Sequence, residues 1–258
     1  MRARPVPPFA LVRRPAGSLA SGCVSFIERQ PVDVERARRQ WLAYVAALNS
    51  RGWPTLEVAP DDALPDSVFI EDAVVMFGEL AVITNPAEPT RHPETLAAAA
   101  TVSQLGYEPA RVTSGTLDGG DVLKVGRTAY VGLSGRTSQA AVGELRELLA
   151  PRGWQVAAVP LTRVLHLKSA VTALPDGTVI GYGPLVDDAG AFPAFLDVPE
   201  EGGAHVVVLD EQTVLMSAHA PWTAQLLGDR GLTVVTVDIS EFEKLEGCVT
   251  CLSVRVRG

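Results

Sequence analysis

Cysteine is scarce in this sequence, with three in 258 residues, at positions 23, 248 and 251. An odd count at irregular spacing excludes the disulfide framework of a small secreted domain and points to a reducing compartment, so a cytoplasmic protein is expected. Long apolar runs are lacking too. No stretch reaches the ~18 consecutive apolar residues of a membrane-spanning helix, so no membrane partner is expected. The basic opening MRARPVPPFALVRRPAGSLASGC holds only the short run FALV beside its prolines, too little for a signal h-region, and is read as mature sequence. Runs of Lys and Arg are absent: 22 basic against 30 acidic residues give a net charge of -8, with a pI near 5.1. That balance excludes a nucleic-acid or acidic-membrane surface and suits a small cationic partner. Gly/Ser linkers and low-complexity segments are missing as well, so residues 1–258 read as a single domain.

What is present is core material: 47% of the residues are hydrophobic and only 20% charged, enough to fill the interior of a globular chain. It is distributed with a period. The stretches VFIEDAVVMFGELAVIT, LDGGDVLKVGRTAYVGLS, VLHLKSAVTALPDGTVIGY and AHVVVLDEQTVLMSA each pair two apolar runs across FGE, VGR, LPDG or LDEQ, the turn chemistry of a hairpin. Between them lie PETLAAAATVSQLG, RTSQAAVGELRELLAPRG and PWTAQLLGDRG, helical in spacing and closing at or near a capping Gly. An earlier segment, DVERARRQWLAYVAALNSRG, places Trp41, Tyr44, Val45 and Leu48 on one helical face. Hairpin, helix and next strand thus recur at roughly 40 to 50 residues, a propeller or array period, and the same pattern also suits an ordinary mixed α/β domain with several hairpins. The first strand, FALVRRP, and the last, CLSVRVR, would complete one further module between them by closing a ring.

Each module opens on a different polar group: Glu71 and Asp72 in FIED, Asp118 and Asp121 in LDGGD, His166 in LHLKS, and Cys251 in VTCLS. Together they are acid, acid, base and thiol, the parts of a nucleophilic site; singly, each is more often a turn or core residue. The closing C-x-x-C lacks a second ligand pair at zinc-knuckle spacing, and its β-branched surroundings differ from the helix start of a redox dithiol. Period-2 alternation would send Cys248 and Cys251 to opposite faces of a strand, which suits a single nucleophile, and Leu252, Val254 and Val256 favour Cys251 by giving it the regular strand.

At these residues the sequence resembles the dimethylarginine dimethylaminohydrolases of the guanidine-modifying superfamily. The resemblance runs through FALVRRP, LPDSVFIEDAVV, NPAEPTRHPE, LDGGDVLKVGRTAYVGLSGRTSQ, LHLKS, SEFEKLEG and TCLSV. It implies a five-module, pseudo-symmetric α/β propeller of repeated ββαβ units. It also implies Cys251 as nucleophile, His166 as general acid and base, and Asp118 as the acidic third member. Asp72 matches the carboxylate that pairs with a substrate guanidinium, with Glu71 and Asp66 beside it as binding groups. Arg91 and Arg136 match arginines that hold an α-carboxylate, a task suited to the guanidinium fork. Leu19, in a Gly/Ser-flanked loop read as a lid, and Leu245 match positions whose backbone meets the substrate amino group. The family often carries an extra cysteine beside the nucleophile, where this chain has Leu252, and Cys248 matches no catalytic position.

The resemblance implies hydrolysis of methylated L-arginine to L-citrulline and an amine, with no metal or organic cofactor, by a monomer or homodimer. Arginine deiminases and amidinotransferases resemble one another in placing an Asp two residues after the histidine, whereas this chain reads His166-Leu167-Lys168. Loss of that carboxylate removes a demand for an unsubstituted NH₂ and leaves room for methyl groups. Two alternatives stay open: an arginine deiminase or a hydrolase of another ω-substituted arginine, and a non-catalytic arginine-analogue binding protein.

Overall fold

Alternating β-branched runs and Gly-containing turns build strands here, and the capped amphipathic runs between them build helices. The structure, a computed structural model, describes residues 7–257. In chain order the strands are β1 (Phe9–Val12) and β2 (Thr55–Glu57), with α1 (Val34–Ser50) between them. Next come β3 (Val74–Phe77), β4 (Leu80–Ile83), α2 (Glu94–Gln104) and β5 (Glu108–Arg111). A third set is β6 (Val122–Val125), β7 (Thr128–Leu133), α3 (Gln139–Leu149) and β8 (Gln155–Pro160). The fourth begins with a single turn, α4 (Leu167–Ala170), followed by β9 (Val171–Ala173), β10 (Val179–Gly181) and β11 (Phe195–Asp197). The last full set is β12 (Val206–Val208), β13 (Thr213–Ser217), α5 (Pro221–Asp229) and β14 (Thr233–Val237), after which α6 (Ser240–Glu243) leads to β15 (Val254–Val256).

These strands form five three-stranded sheets with one internal logic: an inner strand runs antiparallel to the middle strand, which pairs parallel with an outer one across a crossover. Parallel neighbours need a long connection, and helices α1, α2, α3 and α5 supply it in four sheets. In the fourth sheet two 3₁₀ turns, Gly183–Leu185 and Ala189–Ala191, take the helix's place, in keeping with the absence of helical spacing there. The ring closes as the sequence led us to expect, because β15 pairs antiparallel with β1 in the register Phe9 to Val256 and Leu11 to Val254. Each inner strand pairs on one side only, so its other edge faces the axis and is shielded by the ring of neighbouring sheets.

Local chemistry fixes the crossovers. Asp33 caps α1 by accepting the Arg36 N–H at 2.9 Å, and Trp41, Tyr44 and Leu48 bury the predicted face. Ser138 caps α3 by accepting from Ala141 N–H, and Gly153, at φ 74°, ends the 3₁₀ turn that extends it. The inner strands β3, β6, β9, β12 and β15 surround an axial channel, and the side chains between sheets form the core.

The expected strand through both terminal cysteines is not formed. Residues 248–252 are a turn in which the Cys251 N–H donates to the Cys248 carbonyl at 3.1 Å, and the strand begins only at Val254. An i to i+3 turn returns both side chains to one side, so the two buried sulfurs lie 3.4 Å apart instead of on opposite faces.

Candidate active site

The pseudo-symmetry decides where the polar groups meet. A turn precedes each inner strand, and four of these turns carry reactive groups: the 3₁₀ turn Ile70–Asp72, the 3₁₀ turn Gly119–Asp121 next to Asp118, His166 at the start of α4, and the turn ending in Cys251. All four feed strands that converge on the axis, so sequence separations of up to about 180 residues collapse into one cluster.

His166 is 4% exposed, and its Nε2 lies 3.0 Å from Asp118 Oδ2, while its Nδ1 lies 3.9 Å from Asp72 Oδ1. Asp118 is fully buried, and its other oxygen accepts the Ala87 N–H at 3.2 Å. Burial alone would discharge the imidazole. The carboxylates of Asp72, Asp118 and Asp121 overcome it and bring His166 up to about 9. Asp72 shows the reverse: burial favours its neutral form, but His166, the Arg91 guanidinium and the Gly120 N–H bring it down to about 2. At neutral pH the centre therefore holds an imidazolium between carboxylates.

The glycines of LDGGD are required by close approach. A Cβ on Gly120 would lie 2.5 Å from His166 Nδ1 and 2.8 Å from Asp72 Oδ1, and one on Gly119 would lie 2.0 Å from the Glu71 carbonyl. Asp121, at the end of that turn, accepts the Leu167 N–H and the Ser134 hydroxyl, each at 2.8 Å, and so fixes the backbone that presents His166. The sequence placed Asp121 among the polar groups without this task, and its spacing to Leu167 carries no signal of it.

Cys251 is 7% exposed and lines a cavity of about 20 Å³ together with Asp66, Asp72, Arg91, Arg136, His166 and Leu245. The neighbouring Cys248 sulfur, burial, and the charges of Glu71 and Asp72 all push its thiol well above the ordinary range. Asp66 accepts the Cys23 N–H at 3.0 Å, which ties the 22–27 segment to the cavity wall. The Arg91 guanidinium is turned onto carboxylates, 2.8 Å from Asp72 and 2.9 Å from Glu94, and Arg136 donates to the Ser25 hydroxyl at 3.1 Å. Glu246, whose φ is 59°, clasps the same segment by accepting the N–H groups of Ser25 and Phe26. Cys23, Phe69, Leu165, Glu246 and Gly247 complete the wall and were not singled out as site residues in the sequence, because wall residues carry no pattern of their own.

Two expected binding residues sit elsewhere. Glu71 points away from this cavity into the axial channel, where its Oε1 meets Lys168 Nζ at 2.6 Å and Arg255 Nη2 at 3.1 Å. Adjacent residues of a 3₁₀ turn project in different directions, so Glu71 and Asp72 face opposite sides of the same floor. Leu19 is fully buried in the core; its carbonyl already accepts the Gly22 N–H at 2.9 Å, and it is not part of the cavity wall. The segment expected as a flexible lid is pinned there by a 3₁₀ turn and by the Gly17 N–H bonded to Asp62. His92, His205 and His219 bond to the Pro86 carbonyl, the Ser169 carbonyl and Glu243, outside the Cys251 cavity. No cluster of metal-ligating side chains occurs among the described residues, and no described helix is long and apolar enough to cross a membrane.

The comparisons with known proteins agree with one another. The sequence model of the arginine deiminase family matches residues 56–202. The chain is 58% identical to an N(G),N(G)-dimethylarginine dimethylaminohydrolase of Streptomyces coelicolor, over 96% of each chain. It is 33% identical to the enzyme of that name from Pseudomonas aeruginosa, over 95% of this chain and 98% of the relative. Among solved structures, a cysteine-to-serine mutant of the Pseudomonas aeruginosa protein complexed with citrulline superposes with a TM-score of 0.89 at 31% identity, covering 96% of this chain and 98% of that one.

Proposed function

Because the chain belongs to the dimethylarginine dimethylaminohydrolase family of the guanidine-modifying superfamily, we propose that it hydrolyses Nω,Nω-dimethyl-L-arginine and Nω-monomethyl-L-arginine to L-citrulline and the corresponding amine. The observation that carries this reading is the buried constellation in one cavity: a thiol, an imidazolium held between carboxylates, and Asp72 kept ionised where a guanidinium would lie.

A guanidinium is a poor electrophile, since its charge is delocalised, so the reaction requires a strong nucleophile and a rigidly held cation. Cys251 is assigned the first task and Asp72 the second, with Asp66 beside it. The substrate's own charge adds a cation against the sulfur and draws Cys251 toward thiolate, which the resting site disfavours. Sulfur attacks the central carbon, and His166 donates its proton to the departing amine. The resulting thiouronium on Cys251 is then attacked by a water that His166 deprotonates, which releases citrulline and the free thiol. Asp118 holds His166 by its Nε2 and stabilises its charged form.

A cavity of about 20 Å³ has room for one water, so an arginine-sized molecule enters only when its walls move. Arg91 and Arg136 are assigned to the substrate carboxylate, and Arg91 must leave Asp72 to reach it. Leu245 is assigned a backbone contact, and Leu19 supports that wall from the core. Lys168, where the deiminases place a second carboxylate, is bound to Glu71 on the channel side, which leaves the leaving-group end free of a demand for NH₂.

The test is citrulline release from asymmetric dimethylarginine, monomethylarginine and arginine side by side, with wild type and Cys251→Ala. Turnover of the methylated substrates, little with arginine and none in the variant is the expected outcome. Faster turnover of arginine, with ammonia, would assign the chain to deimination; binding without turnover by wild type would assign it to the non-catalytic reading.

A further inference from the structure

The axial channel is closed on the catalytic side by the pair Glu71 and Lys168, and opposite that floor it widens into a cavity of about 150 Å³. Four cationic side chains line this cavity, Lys124, Lys168, Arg255 and Arg257, against the single carboxylate of Glu71. Glu71 Oε1 is shared by Lys168 and Arg255, so one negative charge serves two cations. The other two have no carboxylate: Lys124 Nζ donates to the Met76 carbonyl at 2.7 Å and lies over the Phe77 ring, and Arg257 donates to the Val208 carbonyl at 2.7 Å and lies over the Trp53 ring. Carbonyls and rings orient a cation without neutralising it. Desolvation in the channel mouth, followed by the charges of Lys168, Arg255 and Arg257, brings Lys124 down to about 7, although its side chain, like that of Arg257, stays partly open to solvent. In a chain of net charge -8 this concentration of positive charge stands apart from the surrounding field. One further polar atom is unsatisfied: Glu71 Oε2 is buried and has no hydrogen-bond partner among the described residues.

We propose that this channel cavity is a binding site for a small multivalent oxyanion that carries a hydroxyl, of the hydrogen phosphate class, separate from the Cys251 cavity. The anion's oxygens would be held by Lys124, Arg255 and Arg257, and its hydroxyl would donate to Glu71 Oε2. The volume admits a group of phosphate size and excludes a nucleotide. The site goes beyond the hydrolase reading and does not depend on it.

Calorimetric titration of the wild-type protein with inorganic phosphate, with sulfate, and with chloride at matched ionic strength tests the assignment. Phosphate is expected to bind saturably, sulfate more weakly because it lacks the hydroxyl, and chloride without a measurable isotherm. Lys124→Met and Arg257→Gln are each expected to weaken phosphate binding about tenfold or more, with Lys124→Arg restoring it. None of these variants touches the Cys251 cavity, so a wild-type melting profile marks them as folded. With sulfate, whose charge is constant, affinity should fall up to about tenfold from pH 6 to pH 8 as Lys124 discharges between Lys168, Arg255, Arg257 and Glu71. A phosphate response indistinguishable from chloride, or undiminished in both folded variants, overturns the site; equal affinity for sulfate overturns the role of Glu71.

Discussion

At Cys251 the chemistry depends on a proton that the resting site retains. The adjacent Cys248 sulfur, burial and the Glu71 and Asp72 charges raise the thiol, so little thiolate exists at pH 7. Alkylation of Cys251 by iodoacetamide should therefore be slow at neutral pH and accelerate as pH rises past 9. Cys248→Ala removes the largest of these causes; faster alkylation at pH 7.5, with citrulline release retained, is expected, and an unchanged rate would remove Cys248 from the account. His166 sets the opposite limb. Its proton is needed for the leaving amine, and with the imidazolium held up to about 9, turnover at saturating substrate should fall as pH rises through that value. Gly120→Ala places a methyl group against both His166 and Asp72. A displacement of about 1 Å at a reacting group costs on the order of 100-fold in rate, so steady-state assays should show kcat reduced about that much with the fold intact by circular dichroism.

The elements around the cavity are held by short polar clasps rather than by packing alone. Glu246 sits at φ 59°, a left-handed conformation that strains a residue other than glycine, and its carboxylate accepts the N–H groups of Ser25 and Phe26, the former at 2.7 Å. The clasp therefore holds the 22–27 segment over the Cys251 cavity. Glu246→Ala removes two charge-assisted hydrogen bonds, each worth about 1.5–3 kcal/mol. Amide hydrogen exchange at Ser25 and Phe26 should speed up about tenfold or more, while the inner-strand amides of β3 and β6 stay protected. Equal rates in variant and wild type would show that the segment is held by other contacts, such as Asp66 to Cys23. Elsewhere the segments that become α1 and α3 were legible from their spacing, but which turn would follow Cys248 was not. A three-residue strand at Val254–Val256 is too short for its alternation to fix where the turn ends.

Across the whole molecule, five sheets close into a ring through β1 and β15, and no module is an end. A circular permutant that joins residue 257 to residue 7 through a short Gly/Ser linker and opens at the Gly126 turn between β6 and β7 should fold and release citrulline at near wild-type rate. Loss of folding would mean that the order of modules, and not closure alone, carries stability. The period of hairpin and helix and the polar groups that open its modules were legible in the sequence, because turn chemistry and capping are local, but the strand alternation that favoured Cys251 over Cys248 is not formed. Resemblance in LDGGD, LHLKS and TCLSV extended those local signals to a five-module ring and to site roles. Tertiary structure alone decided which way each opening group faces. Glu71 and Asp72 are adjacent in the chain, yet one enters the channel and the other the Cys251 cavity, and the two terminal cysteines share a side because a turn replaced the expected strand. Direction at a turn depends on backbone angles set by contacts between distant modules, and those contacts exist only once the ring has closed.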